Sequence, residues 1–240
     1  MMTQELASFH AAILRQFPDL KGLPYRRLAE GWHSIAIEVA ARLVFKFPKN
    51  KIAEQALIKE AALLAKVRPH LALPVPAMSI HEGPPTFSCH EKLQGEPLLA
   101  ECYHSLSDRA RHRLAHDLAG FYADLHRLDL DEMRGSGAGA IEEWQSVDAI
   151  RKKAVPALSA EFRPQAEEWI SAFECLPPDP CGQTYGFFDG HGWNMAFDFD
   201  QQRLNGIYDF ADSGIGPLHQ EFIYSNFISR DLTERVIDAY

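Results

Sequence analysis

Cysteine is scarce in this chain of 240 residues. There are only four, at Cys89, Cys102, Cys175 and Cys181, and no two of them form a Cys-x-x-Cys pair. A disulfide framework or a cysteine-ligated zinc site would need paired or regularly spaced cysteines. The sequence therefore argues against both and is typical of a protein kept in a reducing cytoplasm.

Long apolar runs are missing as well. A membrane-spanning helix needs about 18 or more consecutive apolar residues, and the chain has no such run. The first residues lack the apolar block of a signal peptide, since Glu5 falls within a helical pattern. We therefore expect a cytoplasmic protein that does not act in a membrane.

Positive charge is in short supply, with 24 Lys and Arg against 33 Asp and Glu and a net charge of -9. Residues 1–92 hold 12 of the basic residues but only 8 of the acidic ones, so the excess of acid lies in residues 93–240. Most of the molecule would repel a nucleic acid, and we expect no such partner. A mildly basic first part suits a nucleotide and an acidic second part suits a cationic acceptor, although acidity that serves only solubility is an equally good explanation.

The chain does have enough apolar sequence for a folded core. Hydrophobic residues make up 46% and charged residues 24%, which are ordinary values for a globular protein. The length allows one large domain or two lobes. Apolar spacing predicts helices over Thr3–Phe17, Lys51–Val67, Ser107–Leu128, Ile141–Ala157, Glu161–Leu176, Pro217–Ser229 and Leu232–Tyr240.

Strand patterns fall mainly in the first part of the chain. They are expected over Tyr25–Ala40 with one interruption, Arg42–Pro48, Leu73–His81 and Thr86–Leu93. Residues 94–97 break the pattern, and regular strand spacing does not return until residue 184. We therefore expect two lobes, residues 1–93 and residues 94–240. The glycine-rich residues 134–140 follow a helix and predict a flexible connector.

The most informative stretch lies near the end of the chain. Asp189 is followed by four residues, Asn194, a predicted hairpin over residues 195–208, and Asp209. Because the two strands of a hairpin lie side by side, the return strand brings Asp209 back to the end where Asn194 begins. A carboxylate and a carboxamide oxygen together suit Mg²⁺ that also holds phosphate. Asp189 is left to face an incoming hydroxyl, which is the arrangement of phosphoryl transfer.

A lysine strand and the helix after it supply further candidates. Lys46 lies on the opposite face of its strand from Phe45 and Phe47, and Glu60 borders the apolar stripe of the following helix. A carboxylate at a buried edge is unfavourable unless a cation meets it, which favours Lys46 as its partner over the alternative of a lysine that extends to solvent. Upstream, Gly31 and Ser34 form a turn that could bind phosphate oxygens, but most such turns only reverse the chain.

These motifs resemble the aminoglycoside phosphotransferase family, small-molecule kinases related in fold to protein kinases. The local match is Asp-x-His-x-x-Asn from Asp189 to Asn194, followed by Ile-x-Asp-Phe-x-Asp-x-Gly-x-Gly around Asp209. The resemblance implies an α+β, two-lobed protein-kinase-like fold with an antiparallel sheet in the first lobe and a mainly helical second lobe. It also implies that Asp189 is catalytic and that Asn194 and Asp209 bind Mg²⁺.

The resemblance assigns the nucleotide side of the site too. Lys46 would pair with Glu60 and contact the α and β phosphates, and Ser34 would lie in the phosphate turn. The backbone of Glu91 and Leu93 would hydrogen-bond adenine. The donor would be ATP.

Three departures from the family stand out. The family usually has His-Gly before the catalytic aspartate, whereas this chain has Phe187-Phe188, which we interpret as a repacked loop with a ring in the space of the histidine. Glu221 stands where the family tends to have an aspartate that holds the catalytic loop. Relatives usually run longer, so a reduced acceptor pocket or a fragment is expected.

The sequence thus predicts an ATP- and Mg²⁺-dependent kinase that phosphorylates a hydroxyl of a small molecule. An aminoglycoside or another amine-bearing compound is the favoured acceptor, with antibiotic resistance as the corresponding role. Choline, ethanolamine, homoserine and macrolide-type acceptors stay open. The competing hypothesis is a nucleotide-binding regulatory module without turnover.

Overall fold

The computed structural model describes residues 4–28, 31, 33–177 and 180–240. The α-helices are α1 Gln4–Gln16, α2 Lys51–Val67, α3 Ala100–Tyr103, α4 Asp108–His126, α5 Leu130–Gly135, α6 Val147–Ala149, α7 Arg163–Glu174 and α8 Arg230–Ala239. The strands are β1 Tyr25–Arg27, β2 Ser34–Val39, β3 Leu43–Pro48, β4 Ser79–His81, β5 Phe87–Glu91, β6 Gln183–Gly186, β7 Met195–Asp198, β8 Arg203–Ile207 and β9 Gly214–Pro217.

A five-stranded antiparallel sheet occupies the first part of the chain, in the order β1-β2-β3-β5-β4. Side chains alternate between its faces, and one face is mainly apolar. That face packs under α1, where the rings of Phe9 and Phe47 stack with centroids 4.2 Å apart. The buried members of this core are Ala12, Ile13, Leu20, Ile37, Val39, Phe45, Phe47, Phe87 and Cys89.

The opposite face of the sheet carries Lys46, which pairs across the strands with Ala36 on one side and Ser88 on the other. Helix α2 begins where the Asn50 side chain accepts the N–H of Ala53 at 2.9 Å, an N-cap that ends β3 and starts the helix. The inner residues of its last turns join the core of the second half of the chain. Helix α2 therefore links the sheet to the helical part.

Helix α4 is the centre of the second half. Leu114, Leu118, Phe121 and Tyr122 are all at most 2% exposed, and Ser107 caps the helix start. The helix packs against α8, the hairpin strand β8 and β6. Two small antiparallel pairs, β6 with β9 and β7 with β8, complete this half and frame the loop that carries Asp189.

The α+β class with an antiparallel sheet is confirmed, and the division into lobes at residue 93 stays a prediction. Several predicted elements were wrong in detail. Residues 141–146 are not helical, and helical turns begin only at α6, continuing irregularly to Ala157. The strand expected over residues 73–81 is confined to β4, because its prolines cannot donate ladder hydrogen bonds. Helix α5 covers the start of the predicted connector, and residues 218–227 form a 3₁₀ rather than an α-helix.

None of the described helices is both long and apolar enough to span a membrane.

Candidate active site

Three charged side chains from distant parts of the sequence meet beside the sheet. Lys46 Nζ on β3 lies 3.1 Å from Glu60 Oε1 on α2 and 2.9 Å from Asp209 Oδ1, just beyond β8. Glu60 is buried, and its Oε1 also accepts the backbone N–H of Phe210 at 3.1 Å. We call Lys46, Glu60 and Asp209 the ion-pair cluster.

The charges of the ion-pair cluster are set by burial and by one another. Burial alone would lower the pKa of the Lys46 ammonium, but the carboxylates of Glu60 and Asp209 outweigh it and hold that pKa above its ordinary value. Burial raises the pKa of the Glu60 carboxyl, and Lys46 offsets this only in part. Burial also opposes ionisation of Asp209, but Lys46 holds its pKa below the usual range. Two carboxyls thus share one ammonium, an arrangement that favours an incoming cation.

Asp189 lies in the loop between β6 and the β7–β8 hairpin, where both of its carboxylate oxygens have partners. Asn194 Nδ2 donates to Oδ2 at 2.6 Å, and His191 Nε2 lies 3.0 Å from Oδ1. Each carboxylate oxygen has two lone pairs, so Asp189 can still accept a hydrogen bond from a bound hydroxyl. The side chain is 18% exposed, which leaves it reachable.

The hairpin register brings Asn194 and Asp209 to the same end of the β-ribbon. Met195 pairs with Ile207, and Tyr208 N donates to Asn194 O at 3.0 Å. Asp209 follows with a φ of 68°, a left-handed conformation uncommon for a residue other than glycine. The hairpin returns Asp209 to the Asn194 end as expected, with a register shift between Ala196 and Phe197.

At two glycines the loop that carries Asp189 lies in close contact with other segments of residues 94–240. A Cβ at Gly192 would overlap the carbonyl oxygen of Leu98, and a Cβ at Gly190 would overlap the hydroxyl of Tyr122. Leu98 N also donates to Gly192 O at 3.0 Å. Any other residue at either position would push the loop away from its support.

Glu221 holds the start of the same loop. Its Oε2 accepts the backbone N–H of Phe187 and its Oε1 that of Phe188, both at 2.8 Å. Glu221 is fully buried, and His126 Nε2 lies 3.4 Å from Oε2. The longer side chain therefore makes the loop contact that the sequence suggested for this position.

The two phenylalanines that depart from the family pattern are part of the core. The ring of Phe187 packs against Phe121 and Phe210, with centroids 5.8 and 4.8 Å away. Phe188 is 2% exposed and adopts a φ of 52°. Both phenylalanines are thus buried in the core, and the replacement of the family's histidine by a ring stays a prediction.

The donor atoms near Asp189 suit a magnesium ion bound together with phosphates. Because Asn194 uses its Nδ2 on Asp189, its Oδ1 is the atom that can face a cation, and Asp209 offers Oδ2 from a half-exposed carboxylate. Among the described residues no group of three or more His, Cys, Asp or Glu side chains could hold a metal. Mg²⁺ needs no such group, since it keeps waters and is bound through one or two protein oxygens plus phosphate.

An acidic and aromatic rim lies next to Asp189. Desolvation, with Asp189 and Asp209 as nearby like charges, raises the pKa of Asp212, and Glu142 adds to the effect. Burial raises the pKa of Tyr224, the nearby charges of Asp189, Glu221 and Asp212 add to the rise, and a hydrogen bond with Trp144 opposes it. We call Asp212, Glu142, Tyr224 and Trp144 the acidic rim.

The structure brings only some of the predicted nucleotide-binding residues close to Lys46. Ser34 opens β2 opposite Pro48, two residues beyond Lys46, but residues 29, 30 and 32 of its turn lie outside the described residues. Glu91 ends β5 and Leu93 lies two residues later, at the connection to the second half. The carbonyl oxygen of Glu91 already has a partner, since His90 Nδ1 lies 2.8 Å away. The adenine contacts stay a prediction.

Sequence reasoning did not assign several residues that lie here. His191 and Asp212 were within the quoted motifs, two residues after Asp189 and three after Asp209, so their spacing was a usable signal. His126 and Tyr224 had none, because they come from a helix end and a 3₁₀ segment far away in the chain.

The fold is similar to those of solved phosphotransferase structures. Wild-type aminoglycoside 2'-phosphotransferase-IIIa in its GDP complex superposes with a TM-score of 0.86 at 22% identity, over 99% of this chain and 83% of that one. The gentamicin complex of APH(2″)-IIa gives 0.69 at 20%, over 96% and 81%. The apoenzyme of a macrolide 2'-phosphotransferase from Brachybacterium faecium gives 0.68 at 18%, over 96% and 81%. The protein-kinase-like fold is confirmed.

A family model described as the phosphotransferase enzyme family matches residues 24–240, which is nearly the whole chain. The match confirms both the suspected aminoglycoside phosphotransferase resemblance and the predicted enzyme class, a phosphotransferase with an alcohol acceptor. The chain belongs to the phosphotransferase enzyme family.

Proposed function

We propose that the protein is an ATP- and Mg²⁺-dependent kinase that phosphorylates a hydroxyl of a small, amine-bearing molecule, with an aminoglycoside as the favoured acceptor. The observation that carries the proposal is the position of Asp189, joined to Asn194 at 2.6 Å, at the same end of the hairpin as Asp209 of the ion-pair cluster. One group to receive a hydroxyl proton and a set to hold a nucleotide phosphate are what phosphoryl transfer needs.

Asp189 is the group that handles the acceptor. Its carboxylate accepts a hydrogen bond from the acceptor hydroxyl and orients the oxygen towards the γ-phosphorus of ATP. As the new oxygen–phosphorus bond forms and the bond to the ADP oxygen breaks, the hydroxyl proton passes late to Asp189. Positioning and charge neutralisation supply most of the barrier reduction in this chemistry.

The other residues hold the nucleotide. Lys46, fixed by Glu60, contacts the α and β phosphates, with Ser34 in the turn above them. The backbone of Glu91 and Leu93 binds the base. Asn194 and Asp209 hold the Mg²⁺, which neutralises phosphate charge when bound.

The acidic rim supports an acceptor that carries amines. Carboxylates at Asp212 and Glu142 attract cationic groups, and the rings of Tyr224 and Trp144 offer faces for them. Among the similar structures, one contains kanamycin, one gentamicin and one streptomycin. A macrolide-type acceptor is kept as the alternative, since two macrolide phosphotransferases share the fold. An aminoglycoside acceptor would make the protein an antibiotic-resistance enzyme.

Two coarser expectations belong to the same proposal. We place the protein in the cytoplasm, where ATP is available, and we divide it at the hinge into lobes 1–93 and 94–240. The nucleotide would then lie between the sheet and the hairpin.

The test is ATP consumption with Mg²⁺ across a panel of aminoglycosides, a macrolide, choline and homoserine, repeated with GTP. Asp189→Ala should abolish acceptor-stimulated turnover while ADP still binds in calorimetry. The matched control is Asp200→Ala, since Asp200 is exposed in the hairpin turn. Nucleotide binding without turnover on any acceptor would favour the regulatory module, and equal turnover in Asp189→Ala would remove Asp189 from the chemistry.

A further inference from the structure

His191 contacts the proposed catalytic carboxylate, and nothing in the mechanism above uses it. Its Nε2 lies 3.0 Å from Asp189 Oδ1, on the side of the carboxylate opposite Asn194, which donates to Oδ2 at 2.6 Å. The ring is only 21% exposed at its side chain. The loop backbone reinforces the contact, since His191 N donates to Asp189 O at 2.8 Å.

The surroundings of the ring decide which nitrogen carries the hydrogen. Nδ1 of His191 is buried and has no hydrogen-bond partner among the described residues. A hydrogen on Nδ1 would therefore be an unsatisfied buried donor, whereas a hydrogen on Nε2 meets a carboxylate. The tautomer with hydrogen on Nε2 follows, and it makes His191 a donor to Asp189.

A neighbouring ring contacts the imidazole on one side. Trp193 lies edge-on to His191, with centroids 5.0 Å apart and planes at 74°. The Trp193 backbone is itself fixed, because its carbonyl oxygen accepts the Tyr208 hydroxyl at 2.6 Å. The hairpin therefore supports the ring that supports the carboxylate.

We infer that His191 is a positioning residue for phosphoryl transfer, which fixes the Asp189 carboxylate by donating Nε2–H to Oδ1 while Asn194 fixes Oδ2. The inference rests on the proposed role of Asp189 as the group that orients the acceptor. One donor alone would leave the carboxylate free to rotate about its χ2 torsion. Two donors on opposite oxygens fix its plane and aim the remaining lone pairs.

The kinetic test uses variants of His191 that differ in whether a hydrogen-bond donor reaches the position of Nε2. In His191→Gln the amide nitrogen can reach the place of Nε2 and donate to Asp189, whereas His191→Asn is too short and His191→Ala has no donor. A displacement of about 1 Å at a reacting group can lower the rate about 100-fold. We expect His191→Ala and His191→Asn to lower kcat about 100-fold with the KM for ATP unchanged, and His191→Gln to recover most of the loss.

The control is His116→Gln, since His116 is exposed on α4, and it should leave kcat unchanged. Thermal melts of all four variants show whether each one folds. If His191→Gln is as impaired as His191→Ala, or if His191→Ala keeps full kcat, the positioning role is overturned.

A second measurement needs no acceptor and therefore stands apart from the proposed function. In nitrogen-15 NMR of histidine-labelled protein, the ring resonance of His191 is identified as the one that disappears in His191→Gln. We expect that resonance to show hydrogen on Nε2. In Asp189→Ala this resonance should shift or exchange faster with solvent, while that of His116 stays. A resonance with hydrogen on Nδ1, or one indifferent to Asp189→Ala, would overturn the inference even in a protein shown to be an active kinase.

Discussion

Lys46 donates to Asp209 Oδ1 at 2.9 Å, although 163 positions separate the two residues in the chain. This contact joins the sheet of the first part directly to the residue that follows the hairpin. The same ammonium is shared with Glu60, so the proposed phosphate-binding cation is already occupied by two protein carboxylates. In the proposed kinase, a bound nucleotide would replace part of these contacts of the Lys46 ammonium.

Removing the shared cation should damage both stability and activity. In Lys46→Met the buried Glu60 loses its ion-pair partner, and we expect the free energy of unfolding to fall by about 3 kcal/mol. The double variant Lys46→Met/Glu60→Gln should regain much of that stability but no ATP turnover. Urea denaturation and kinase assays on both proteins check the prediction. Full stability in Lys46→Met alone would contradict it.

Replacing one carboxylate oxygen of Glu221 by an amide nitrogen should weaken its support of the Asp189 loop. In Glu221→Gln one backbone N–H of Phe187 or Phe188 would face an amide N–H instead of an oxygen. Since hydrogen bonds to charged groups contribute about 1.5–3 kcal/mol each, we expect a loss of about 2 kcal/mol together with a lower kcat. Thermal melts and steady-state kinetics measure both. Glu221→Asp, which keeps the charge but is one methylene shorter, tests reach separately and should also lower kcat.

His90 should make the protein sensitive to acid. Burial lowers its pKa from 6.5 to about 4. Between these values the unfolded chain binds a proton that the folded protein does not, so stability falls as the pH drops through this window and is unaffected above it. The shift corresponds to about 3 kcal/mol. Chemical denaturation at pH 7 and pH 4 should show a smaller acid loss in His90→Leu than in the wild type, by about this amount. An equal loss in both proteins would rule out His90 as the source.

Substitution of Asp212 should change the KM for the acceptor and leave the KM for ATP unchanged. In Asp212→Asn one carboxylate of the acidic rim is lost without a change of shape. We expect the KM for an amine-bearing acceptor to rise about 5- to 10-fold, the size of a partly exposed charge contact of about 1 kcal/mol. The KM for ATP should stay within error. A neutral hydroxylated acceptor serves as the comparison and should show no change.

The sequence predicted the parts of the site that are local in the chain. Asn194 and Asp209 flank one hairpin and Asp189 lies in the loop just before it, so the return of Asp209 towards Asn194 could be expected from the sequence, although the register shift between Ala196 and Phe197 could not. Lys46 was identified because a strand alternates, and Glu60 because a charged residue bordered an apolar helical stripe. In each case a short-range periodicity determined the position of a side chain.

The rest depended on contacts that periodicity does not encode. Glu221 reaches Phe188 across 33 positions, and the acidic rim collects residues from segments with no regular pattern. Strand β9 contains Gly214 and Gly216, which have low strand propensity, so its pairing with β6 arises from backbone hydrogen bonds and tertiary packing. Residues 141–146 showed helical spacing but form no regular structure, and at their start the bridge of Ala140 to Ile215 and the bond from Ile141 N to Ile215 O tie the chain to β9 instead.

The glycines of the Asp189 loop limit where the enzyme can be flexible. Gly190 lies against the Tyr122 hydroxyl of α4 and Gly192 against the Leu98 carbonyl, so the loop contacts its support closely at both positions. We therefore expect conformational adjustment during catalysis to come from movement of the sheet and α2 relative to the Asp189 loop. Labels placed on β2 and β8 should change their separation when nucleotide binds, whereas a pair on α4 and the Asp189 loop should keep a constant distance.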